Sequence, residues 1–188
     1  MSTHKTLDDR RQALEESFFK KANEKLLAEL RQKRAHDEQR QALADVIKLQ
    51  NDAVLDHLVD AGISAQTWLA ISLVPLVEVA WADHKVERAE RQAIMKAAAD
   101  NGVVEGSAAA ELLDDWLTRR PLPGVRQAWT EYIQAVVPLL GDAAREALRE
   151  ETLEKSRAVA LSAGGFLGFG DKISENEAKV LEELGRAF

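Results

Sequence analysis

No glycine or proline occurs before Gly62, so the first 61 residues lack the two residue types that most readily interrupt a helix. Within this stretch Leu7, Leu14, Phe18, Leu26 and Leu30 recur at helical spacing, and Phe19 and Leu27 widen the stripe. Asp8 and Asp9 stand near the start, where negative charge favours a helix N-terminus. The pattern predicts one or two long helices. The polar run Arg31 to Gln41 has almost no apolar face and reads either as a solvated helix or as a flexible joint.

Beyond Gly62 the punctuation becomes regular. Ser64 is positioned to cap a helix carrying Leu69, Leu73, Leu76, Val77 and Ala80, and Glu87 to Asp100 resumes the pattern before Asn101-Gly102. Ser107 opens a segment with Leu112, Leu113, Trp116 and Leu117 on one face, and Pro121-Leu122-Pro123-Gly124 forms a turn. Trp129, Tyr132, Ile133, Val136 and Val137 mark the next helix, which Pro138 and Gly141 end or kink. Asp142 begins a long helix and Ser174 a final short one. No run alternates with period two between turns, so the fold class expected is all-α. The expected architecture is a compact antiparallel helical bundle over residues 46–188 with a charged helical arm over residues 1–45.

Charge follows the same division. Residues 1–45 carry 10 Lys/Arg against 9 Asp/Glu, leaving 15 against 23 for the remainder of a chain whose net charge is −7. That acidity argues against a general nucleic-acid binder, which needs a basic field. The absence of cysteine removes disulfide and thiolate chemistry and fits a reducing compartment. Met1 to Arg10 has no apolar core of the secretory type. The longest apolar run, Trp68 to Ala82, is broken by Pro75 and Glu78 and is too short to cross a bilayer. A cytoplasmic location and no direct membrane insertion are therefore expected.

Two joints resemble each other. Lys85-Val86-Glu87-Arg88-Ala89-Glu90 matches Lys172-Ile173-Ser174-Glu175-Asn176-Glu177 in residue type at most positions, and each follows an apolar helix rich in small residues. This suggests a duplicated helix–loop–helix unit. Ser174-x-x-Glu177 has the form of a capping box, and Glu87-x-x-Glu90 occupies the same places, so capping is the main role expected of Glu90 and Glu177. A calcium loop of the EF-hand kind is excluded, because Val79 and Trp81, or Phe166 and Gly168, stand where carboxylates are required. The glycines of Gly164 to Gly170 fail as a phosphate loop, since Asp171 follows them in place of lysine and no strand precedes them. Glu78, inside the apolar run, reads as a buried acid with a raised pKa, or as one that finds a partner or reaches the bundle surface.

The stretch Glu78 to Arg91, with Ala82-Asp83-His84-Lys85-Val86-Glu87 at its centre, resembles the motif of TerB-like tellurite-resistance proteins. Gly170 to Glu177 is similar to that family's C-terminal counterpart, and the resemblance covers about residues 64–188. It implies a compact helical bundle with an acidic patch, in which Asp83, Glu87, Glu90 and Glu177 match the acidic pattern. These four are the candidate metal ligands, for a weakly bound divalent cation or for none. His84 stands where the family usually has glycine. The resemblance further implies a non-enzymatic role in a bacterial stress or tellurite response, exercised through protein partners, membrane-associated ones included. The N-terminal arm, which the resemblance does not cover, is expected to serve as a docking or dimerising element.

Leu7-Asp8-Asp9-Arg10-Arg11-Gln12-Ala13-Leu14-Glu15, followed by Phe18, is similar to the start of the zeta inhibitor subunit of some bacterial ATP synthases. That implies an alternative, a regulator or inhibitor of a rotary ATPase acting through the N-terminal helix. A second alternative is a metal-assisted hydrolase using Glu78, Asp83, His84 and Glu90, which requires those side chains to converge.

Overall fold

The computed structural model describes the backbone of residues 3–163 and 173–188, with side chains from residue 18 onward. One helix, α1 (Thr3–Ile47), answers the uninterrupted start. The polar stretch Arg31 to Gln41 is helical throughout. Lys48 ends α1 with a left-handed backbone (φ 57°), a conformation uncommon outside glycine and effective at stopping a helix.

By packing, the chain divides into residues 1–39 and residues 40–188. The boundary expected after residue 45 thus falls six residues earlier, and the reason is Leu43, which is completely buried. From Arg40 onward α1 belongs to the bundle, and Arg40 also pairs with Asp56 at 3.3 Å.

Within the second unit the order is α2 (Asp52–Asp60), α3 (Val74–Ala80), α4 (Arg88–Asp100), α5 (Ala108–Thr118), α6 (Pro123–Val136), α7 (Asp142–Ala163) and α8 (Glu175–Gly185). No strand occurs among the described residues, and the fold is all-α. The helix starts are set by short side chains. Asn51 accepts from the Val54 amide, Ser107 from that of Ala110 and Ser174 from that of Glu177. The helix expected from Ser64 is replaced by a turn and a 3-10 segment, Trp68–Leu73, ahead of α3. Pro75 supplies the reason, because it has no N–H to continue an α-ladder backwards and is tolerated only in a first turn. Ser64 caps nothing there; its own amide donates to Thr67 Oγ1 at 2.8 Å.

All seven residues of α3 are buried, Glu78 among them. α3 packs on α6, α7 and α8, while α4 packs on α7 and α2 on α6. The two helix–loop–helix units, α3–α4 and α7–α8, therefore exchange partners, the second helix of each lying on the first helix of the other. Trp129, Leu55, Leu58, Leu73, Leu76, Ile94, Leu113 and Leu184 form the centre of the core. Trp81 closes one side of it, with its indole N–H donating to the Trp116 carbonyl at 2.8 Å.

Candidate functional site

The acidic residues singled out in the sequence lie on the α3–α4 loop and at the start of α8. Where α3 ends, His84 takes a left-handed backbone (φ 65°), the conformation for which glycine carries no penalty. The chain then enters α4 through a capping box. The Glu87 amide donates to Glu90 Oε2 at 2.6 Å, and the Glu87 side chain lies over the Glu90 amide without forming a full hydrogen bond. Glu87 Oε1 instead meets Lys85 Nζ at 2.8 Å. At α8 the box is complete. The Ser174 amide donates to Glu177 Oε2 at 2.6 Å, and the Glu177 amide donates to Ser174 Oγ at 3.2 Å.

Both capping carboxylates are buried, Glu90 at 3% exposure and Glu177 at 6%. Burial pushes the Glu90 carboxyl up to about 7, against the opposing effect of the Glu87 amide. The negative charges of Glu177, Glu87 and Asp83 add to the rise, so the two capping carboxylates feel each other. Asn176 Nδ2 donates to Asp83 Oδ1 at 2.9 Å and ties the first loop to the second helix start. The Gly164 to Lys172 stretch lies outside the described residues, and with it the first three residues of the second stretch quoted for the resemblance.

Among the described residues no group of three or more His, Asp or Glu is arranged to hold a metal ion. Asp83, Glu87, Glu90 and Glu177 do not form a coordination set, because Glu90 and Glu177 turn back onto their own helix starts and Asp83 faces an amide donor. The hydrolase set does not converge either. Glu78 pairs with Arg126 at 3.8 Å, and Arg126 also reaches Glu183 at 2.7 Å, so Glu78 belongs to a link joining α3, α6 and α8. Burial raises the Glu78 pKa while Arg126 and Arg120 oppose the rise, so the buried and the partnered readings of Glu78 hold together.

Sequence reasoning missed two features. Arg126 carried no local signal, since its partners come from other helices. A cavity of about 590 Å3 opens where the ends of α2 and α5 meet the start of α6, lined by His57, Trp116, Arg119, Arg120, Val125 and Ala128 among others. None of the four acidic candidates borders it. Arg119 pairs there with Asp115, and His57 with Glu131, whose hydrogen bond and charge raise the His57 pKa.

No family model, curated protein or solved structure matches the chain.

Proposed function

We propose that the protein is a non-enzymatic, TerB-like interaction module of a bacterial stress or tellurite response, acting in the cytoplasm. The observation that carries the reading is the exchange of partners between α3–α4 and α7–α8, with a buried capping glutamate at the start of each second helix. It supports the resemblance in the residues on which the resemblance rests. The bundle serves as the folded body of the module. The first unit supplies a contact surface, because Phe18, Phe19, Leu26, Leu27 and Leu30 are all between 44% and 69% exposed.

Deleting the gene and restoring it tests this reading. Growth in tellurite and under oxidative stress is expected to fall in the deletion and to return with the wild-type chain. It is expected not to return with a Phe18→Ser/Leu26→Ser chain that accumulates to the same level. Identical growth of the deleted and restored strains contradicts the reading.

A further inference from the structure

Five large apolar side chains on α1 are exposed, and their arrangement around the helix identifies what covers them. At about 100° per residue, Phe18, Ala22, Leu26, Phe19, Leu30 and Leu27 fall in that angular order on one half of the helix surface. Lys21 and Lys25 flank one edge of this half and Lys20 and Arg31 flank the other, while Asn23, Lys33 and Arg34 fall within it, the two cations at the C-terminal end of the segment. Glu24 and Ala28 occupy the far side. Between residues 18 and 34 there are six Lys/Arg and only two Asp/Glu, in a chain that is otherwise acidic. One of those acids, Glu29, lies on the apolar half and is paired with Lys25 at 3.8 Å.

Cations at both borders of an apolar face suit a helix lying in a bilayer surface. The apolar half enters the acyl boundary while the lysine stems reach back to the headgroup phosphates. A second copy brings like-charged borders together. No helix of the described residues is long and apolar enough to cross a membrane, so the contact is peripheral. We propose that α1, over Phe18 to Arg34, binds the surface of an anionic phospholipid bilayer. This deepens the contact role given to the first unit above, and its test is independent of any stress phenotype.

The chain has no cysteine, so single labels are unambiguous. The full chain carrying Ala22→Cys or Ala28→Cys is labelled with an environment-sensitive fluorophore and mixed with vesicles. One set is pure phosphatidylcholine and the other contains about 30% phosphatidylglycerol. The label at position 22 is expected to shift to the blue with the anionic vesicles, and the label at 28 to stay in water. Binding is expected to weaken about tenfold or more on pure phosphatidylcholine or on raising salt from about 0.1 M to about 0.5 M. Phe18→Ser/Leu26→Ser and Lys20→Ser/Lys21→Ser/Lys25→Ser should each abolish co-sedimentation while leaving the thermal melt of the bundle unchanged. Failure to sediment with anionic vesicles overturns the proposal, as does an equal shift at 22 and 28. A blue shift at 22 without vesicles, together with a dimeric mass by light scattering, assigns the face to a second copy and overturns it too.

Discussion

Asn176 donates its side-chain amide to the Asp83 carboxylate at 2.9 Å, closing a link between residues 93 apart in the chain. The bond is exposed, so its net worth is small, but it joins the α3–α4 loop to the start of α8. A double-mutant cycle with Asp83→Ala and Asn176→Ala, read by urea unfolding, is expected to return a coupling of about 0.5 kcal/mol. Additive losses contradict the link.

Leu43 sets where the bundle begins. A chain starting at Arg40 keeps this completely buried side chain and the Arg40–Asp56 pair, and is expected to unfold with the same urea midpoint as the full chain. A chain starting at Val46 loses both and should be less stable by about 2–5 kcal/mol, the usual cost of deleting a buried leucine. Equal stability of the two shortened chains contradicts the boundary at residue 40.

His84 holds a left-handed backbone at exposed positions of the α3–α4 loop. Glycine relieves that strain, whereas a β-branched side chain aggravates it. His84→Gly is expected to stabilise by up to about 1 kcal/mol and His84→Val to destabilise by about 1–3 kcal/mol in thermal or urea melts. The reverse order contradicts the assigned geometry.

The local features of the fold were legible because they are made by neighbours in the chain. Ser107, Ser174 and the Glu87–Glu90 and Ser174–Glu177 spacings cap helices through bonds spanning three residues, and such bonds are written in the sequence. The end of the first unit was not legible, because the polar run before Leu43 gives no hint that one leucine is inserted into a core built from other helices. The 3-10 segment at Trp68–Leu73 was hidden by a hydrophobic pattern that serves either helix type. At the acidic loop, residue types suggested ligands, but composition does not say where a carboxylate turns. Glu90 and Glu177 turn inward, and Asp83 has a partner that is distant in sequence.

Glu90 makes stability depend on pH with a definite sign. Its carboxyl, ordinarily near 4.5, is pushed up to about 7 by burial in the folded protein. The stability contributed by its protonated form is complete below pH 4.5 and is lost as pH rises through 7, a loss of at most about 3 kcal/mol. Glu90→Gln keeps the capping bond without the charge. The wild type should therefore lose stability relative to this variant between pH 5 and pH 8, as read by urea midpoints. Both proteins retain His57, whose raised pKa gives a loss of the same sign, so the difference between them isolates Glu90. A constant difference across that range contradicts the burial of its charge.

The account rests on the carboxylates of the α3–α4 loop and of the start of α8 acting as helix caps and ties. Melting temperature in chelator and in millimolar Ca2+, Mg2+, Mn2+ or Zn2+ tests this most directly, for the wild type, Asp83→Asn and Glu90→Gln. A site saturated about a hundredfold above its dissociation constant adds about 2.7 kcal/mol, which corresponds to a shift of several degrees. The caps-and-ties account predicts that each protein melts at the same temperature, within about 1 °C, with and without cation. A rise of several degrees in the wild type, absent from both variants, contradicts it and makes these residues metal ligands.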